Sequence, residues 1–233
     1  MKIIGIIGGL GPESTIDYYR RLLAVYAALR PEGSAPSIII NSLDVKKALA
    51  LVGNNQLREL TEYLVLEIER LARAGAEIGL LSANTPHIAF DEVARRSPIP
   101  LVSIVEATCA KAKSLGFTRL GLFGTRFTMQ SRFYPDVFLR EGVGLAVPQA
   151  DEQGYIHDKY VNQLIPGKFL PETRKGLLAI AARMRDEDGI QALILGGTEL
   201  PLILTDSSPL GIPFLDTTEI HVEAILERAL ASV

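Results

Sequence analysis

The sequence predicts an α/β protein of two similar subdomains, each a mostly parallel sheet flanked by helices, with its site in the cleft between them. Three observations carry this. Short branched apolar runs alternate with longer amphipathic runs along the 233 residues. Several short runs are apolar throughout, as strands are when both faces of a parallel sheet are covered. The pattern also occurs twice. GIIGGLGPEST (5–15) is echoed by GLFGTRFTMQS (121–131), and LLSANTP, from Leu80, by LILGGTELP, from Leu193. Gly5 and Gly121 lie 116 residues apart, and Leu80 and Leu193 lie 113 apart.

The strands expected are 2–8, 37–42, 78–82, 101–104, 120–124, 192–196 and 213–215. The helices expected are 13–29, 55–74, 105–115, 172–188 and 217–232. The first helix follows Pro12, whose fixed φ suits a first helical turn, and stops before Pro31. The second sets Leu57, Leu60, Leu64, Ile68 and Leu71 on a broad face and ends at Gly75. Strand–helix alternation of this kind implies right-handed crossovers. The link SPIP (97–100) is rigid and extended, and marks a boundary. The expected subdomains are 1–98 plus 210–233, with the last helix returning to the first half, and 99–209. Ligands of parallel sheets bind beyond the carboxyl ends of the strands. Two facing halves would therefore put two sets of loops around one small molecule.

Composition excludes several classes. Apolar residues are 48% and charged residues 22%, near a globular average, so the chain can bury a core. A formal net charge of -3, with the signs interspersed, leaves no footprint for nucleic acid or anionic lipid. One cysteine, Cys109, forms no disulfide within the chain, and its helical context reads as a buried apolar position. The opening MKIIGIIGGLGP is too short and too rich in glycine for a signal peptide, and no run approaches the roughly 20 apolar residues of a membrane span. A cytoplasmic protein is expected.

Four strand-end loops carry the polar residues. Gly8–Thr15 (GGLGPEST) joins a strand to a helix N-terminus, either as an anion cradle or as a plain tight turn. It lacks the register of a dinucleotide loop and the GK[ST] of a Walker loop. A nicotinamide or nucleotide enzyme is thus supported by its glycines alone. Residues 82–87 (SANTPH) offer Asn84 and Thr85, which either cap the next helix or bind a ligand. His87 there is structural or catalytic. Residues 124–129 (GTRFTM) flank a helix start with Thr125 and Thr128. Residues 196–201 (GGTELP) repeat the small-then-polar pattern with Thr198. Glu199 reads as a general base, a partner of the helix dipole or a buried anchor.

Taken in order, GGLGPEST, SANTPH, GTRFTM and GGTELP resemble the aspartate/glutamate racemase family, whose members carry GGMGP or GGMSW, CNTxH, GTxxTM and GCTE. The resemblance spans essentially the whole chain, to the closing DTTEIHVEAI (216–225). It implies a homodimer and cofactor-free, metal-free racemisation of an acidic amino acid, with one cysteine on each side of the α-carbon. One thiolate removes the α-proton and the other thiol reprotonates the opposite face. The resemblance carries substrate binding onto Gly9, Leu10, Gly11, Asn84, Thr85, Thr125, Thr128 and Thr198. It carries onto Lys168 a loop residue that faces the side-chain carboxylate in some members, the plain alternative being a solvated lysine. Lys46 and Lys47 lie near another basic position. The cysteine positions fall on Ala83 and Gly197, neither able to carry a proton. Ser82, His87 and Glu199 are the nearby substitutes. The chain is then an isomerase with other or impaired proton transfer, a lyase or isomerase on another carboxylic acid, or a silent paralogue that binds a small carboxylate.

Overall fold

The computed structural model describes residues 1–30, 32–33, 35–206 and 210–231. Pro31, Ser232 and the 209 edge of the expected second subdomain lie outside the described residues. The chain divides into two compact units, Met1–Ala107 with Thr218–Val233, and Thr108–Thr217.

In chain order the first unit begins with β1 (Ile4–Gly8), α1 (Pro12–Leu29), β2 (Ile38–Ser42), α2 (Val45–Gly53), α3 (Leu57–Arg73) and β3 (Ile78–Leu81). A 3₁₀ turn (Thr85–Ala89), α4 (Phe90–Arg96), β4 (Leu101–Val102) and α5 (Ile104–Ser114) follow, the unit boundary falling within α5. The second unit holds β5 (Arg119–Gly124), α6 (Arg126–Gln130), α7 (Phe133–Arg140), β6 (Gly144–Ala146), α8 (Ala150–Lys159), a π turn (Tyr160–Leu164), α9 (Pro171–Asp188), β7 (Ala192–Gly196), α10 (Leu200–Ile203) and β8 (Phe214–Asp216). Then α11 (Thr217–Leu230) closes the described chain. No helix among the described residues is long and apolar enough to cross a membrane.

Each unit is a four-stranded parallel sheet with its helices. The orders are β2-β1-β3-β4 and β6-β5-β7-β8, the same topology twice. The central strands are buried along their length, which accounts for their unbroken apolar sequences. Gly5 and Gly121 occupy equivalent places for the same reason. A Cβ on Gly5 would meet Ala76 Cβ at 2.8 Å, and one on Gly121 would meet Ile190 Cδ1 at 2.7 Å. Ala76 and Ile190 each stand two residues before the neighbouring strand.

Strand register corrects the second echo of the repeat by one residue. Ile4 pairs with Ile78 and Leu120 with Ala192, so β3 and β7 correspond at an offset of 114, not 113. At that offset Ala83 is equivalent to Gly197, Asn84 to Thr198 and Thr85 to Glu199.

The unit boundaries fall later than the expected 98/99 and 209/210. Gly79 and Leu80 pair with Leu101 and Val102, so the chain past Pro100 is still building the first sheet. Leu193, Ile194 and Leu195 pair with Phe214, Leu215 and Asp216, which holds residues past 210 in the second. From Thr218 the chain belongs to the first unit. There Val222, Ile225, Leu226 and Ala229 of α11 pack with Ile4, Ile6, Tyr18 and Leu22 of β1 and α1.

Candidate functional site

In the first unit the loops after β1 and β3 are tied together beneath their surface. Gly9 has φ +73°, and a Cβ there would lie 2.5 Å from Leu43 N, so the position needs glycine. Its N–H donates to Thr15 Oγ1 at 2.9 Å, which uses one of the amides expected to face an anion. Ser14 Oγ donates to the Ser82 carbonyl at 2.7 Å. Gly11 is the N-cap of α1, with Pro12 in the first turn, as expected.

Two of the expected proton carriers have their polar atoms engaged with backbone. Ser82 is fully buried, and its hydroxyl donates to the Ile7 carbonyl at 3.1 Å, fastening β3 to β1. His87 Nε2 lies 3.2 Å from the Ile104 N–H and accepts from it, so Nδ1 carries the proton and donates to the Ala83 carbonyl at 2.9 Å. Both ring nitrogens are therefore committed to backbone, and Phe90 stacks on the ring at 4.8 Å. Burial, then the neighbouring His221, lowers the His87 pKa to about 3, which keeps the ring neutral. Ala83 is itself buried. Asn84 is at the N-cap of the 3₁₀ turn without a capping hydrogen bond from its side chain, so capping does not explain the residue. Asn84 and Thr85 are both buried at the carboxyl end of β3.

In the second unit Thr125 caps α6. Its Oγ1 accepts from the Thr128 N–H at 3.2 Å and lies 3.2 Å from Thr128 Oγ1. Both threonines are buried at the end of β5. At the end of β7, Glu199 is 3% exposed and stands at the N-cap of α10 without a capping bond. It is an acceptor instead. Thr198 Oγ1 donates to Glu199 Oε2 at 3.0 Å, and the Tyr160 hydroxyl donates to the same oxygen.

Tyr160 is the residue that sequence reasoning missed. A Cβ on Gly197 would lie 2.8 Å from both Tyr160 Cζ and its hydroxyl, so the ring fills the space in front of Gly197. Tyr160 opens the π turn, a wide helical turn often found at functional sites. Burial, then the Glu199 carboxylate, holds its phenol well above the usual value. No element or motif is expected over YVNQL (160–164), and 37 residues separate Tyr160 from Gly197, so no local signal marks the contact.

Lys168 is exposed just after Gly167, whose φ is +75°. Lys47 is engaged over the Tyr63 ring, with Nζ 3.9 Å from its centroid. Cys109 is buried, its thiol pushed up first by burial and then by Glu141, and reads as core. Among the described residues no three His, Cys, Asp or Glu side chains form a metal-holding group.

The model of the Asp/Glu/Hydantoin racemase family matches residues 7–225. The chain belongs to this family. The broad specificity amino-acid racemase RacX of Bacillus subtilis (strain 168) is 24% identical over 98% of this chain and 99% of its own. A Yersinia pestis protein provisionally described as an Asp/Glu racemase is similar in crystal structure, with a TM-score of 0.90 and 29% identity over 99% of this chain and 100% of that one. An aspartate racemase homologue from Pyrococcus horikoshii OT3 follows at a TM-score of 0.84 and 31% identity, over 98% and 99%. Racemase-family membership thus agrees with the duplicated topology, and focuses attention on the equivalent pair Ala83 and Gly197.

Proposed function

We propose that this racemase-family chain binds a small amino acid or dicarboxylate at loops that close its parallel strands. It acts there as a cofactor-free isomerase whose proton transfer does not use cysteine. The observation that carries this reading is a single one. Buried polar side chains, Asn84 with Thr85 and Thr198 with Glu199, stand at equivalent register positions at the ends of β3 and β7. An amino-acid α-proton is very weakly acidic, so removing it requires oriented donors on the substrate carboxylate where negative charge develops. Asn84, Thr85, Thr125 and Thr128, with the Leu10 and Gly11 amides, are the donors assigned to that task, while the Thr198 hydroxyl donates to Glu199. The activity of RacX, an amino-acid racemase by description, supports the substrate class.

The deciding experiment is α-proton exchange in deuterated water, followed by NMR on both enantiomers of aspartate, glutamate and a panel of dicarboxylic acids. Exchange on at least one acid is expected. A protein that neither binds nor exchanges any of them overturns the reading. A second reading, a carboxylate-binding paralogue without turnover, is favoured by the commitment of Ser82 and His87 to backbone. Calorimetry showing acid binding with no exchange would select it.

A further inference from the structure

We propose that Tyr160, backed by Glu199, is a catalytic residue that takes the place of the second cysteine, and that proton transfer is confined to one face of the substrate. This inference rests on the function proposed above. A cysteine sulfur at position 197 would project one bond beyond its Cβ. The Tyr160 hydroxyl lies 2.8 Å from that Cβ position, in the space such a thiol would use. Ring and hydroxyl are held there by the buried cluster around Phe123, Ile156 and Leu164, and by the hydrogen bond to Glu199. Glu199 Oε2 also accepts from Thr198 Oγ1 at 3.0 Å, so the carboxylate is fixed in one orientation.

The arrangement is a two-member relay. The tyrosine oxygen takes the substrate α-proton while its own proton passes to Glu199 Oε2. The C–H electron pair stays on the α-carbon and delocalises into the substrate carboxylate. Reversal returns a proton from Tyr160 as Glu199 gives its proton back to the phenol oxygen. Charge and protons balance without a co-reactant. A phenol alone would be a poor base when buried, but here no free tyrosinate forms, because the carboxylate accepts the proton in the same step.

Tyr160 with Glu199 is the one acid/base pair of this relay. The proton must then return from the group that removed it. Deuterium exchange should proceed with retention of configuration. Net conversion is restricted to substrates in which a proton shifts along one face, such as an unsaturated dicarboxylate whose double bond migrates.

The test uses the whole chain in deuterated water with enantiopure D- and L-aspartate, glutamate and malate. The expected result is exchange at Cα of one enantiomer only, with optical rotation unchanged. Tyr160→Phe keeps the ring and its packing. It should lower exchange by roughly 100-fold or more while calorimetric affinity stays within a few fold. Glu199→Gln, a second variant in case the first fails to fold, should lower the rate similarly. Exchange of both enantiomers, or exchange by Tyr160→Phe within about threefold of the parent, overturns the inference and leaves the proposed function standing. Binding without any exchange also overturns it. Absence of binding overturns the proposed function itself.

Discussion

At the scale of single residues, Gly197 and Tyr160 have to be considered as a pair. Placing cysteines at 83 and 197, where the family resemblance puts them, is the natural way to ask whether racemisation can be installed. The structure makes that insufficient, because a side chain at 197 meets the Tyr160 ring, which is itself buried and hydrogen-bonded. Ala83→Cys/Gly197→Cys should lose about 1–3 kcal/mol of stability from overpacking and remain inert, as read by thermal melts and polarimetry. Adding Tyr160→Ala makes the room, and racemisation of aspartate or glutamate is expected only in this triple variant. Lys168 invites a simpler test. Lys168→Ala should weaken binding of dicarboxylic acids by about tenfold, the scale of one charge-assisted hydrogen bond, and leave monocarboxylic amino acids unchanged in calorimetry. Gly9→Ala should cost at least about 1 kcal/mol in a denaturant melt, since its φ of +73° and the nearby Leu43 backbone both oppose a side chain.

At the scale of elements, long apolar runs and the short apolar strands β4 and β8 were legible, and several other short elements were not. β1, β3, β5 and β7 announce themselves because, past the exposed Arg119 that opens β5, both faces are buried and every residue is apolar or small. α1, α3 and α9 carry helical periodicity over 17 or 18 residues with proline or glycine at an end. β6 is three residues of half-buried edge strand, and α6 and α10 are single turns, too short for a period to show. α2, nine residues long, and the five-residue π turn that continues α8 are likewise brief. The polar loops of the site were legible from residue type and order. The commitments of Ser82 and His87, and the reach of Tyr160, depend on contacts across the fold that no local pattern encodes.

One element-level feature has a measurable pH signature. His221 on α11 donates from Nε2 to the Val102 carbonyl of β4 at 2.9 Å and accepts at Nδ1 from the Tyr18 hydroxyl of α1 at 2.8 Å. Burial lowers its pKa to about 4, beside the value of about 3 for His87. Both folded values lie below the usual 6.5, so between them and 6.5 the unfolded chain binds more protons. Stability is then full above about pH 6.5 and falls as pH drops toward 4, at up to about 1.4 kcal/mol per pH unit per histidine. Thermal melts should show a lower midpoint at pH 5 than at pH 7. Replacing His221 by Gln should remove about half of that slope.

At the scale of the whole molecule, the repeated order β2-β1-β3-β4 and β6-β5-β7-β8 makes the first unit discontinuous and the second continuous. Removing residues 218–233 would uncover Ile4, Ile6 and Tyr18, which pack against Val222, Ile225 and Leu226. Hydrogen exchange on that truncated chain should show β1 and β3 losing protection while β5 and β7 retain theirs. The same threading dictates an order of events during synthesis. A ribosome delivers β1 to β4 first, with one face of their sheet still lacking the helix that covers it. The second unit can close as soon as Thr217 has emerged, but the first must wait for α11. In the interval the nascent chain exposes an apolar sheet, the kind of surface that chaperones hold, and the segment that relieves the exposure is made after everything else described here.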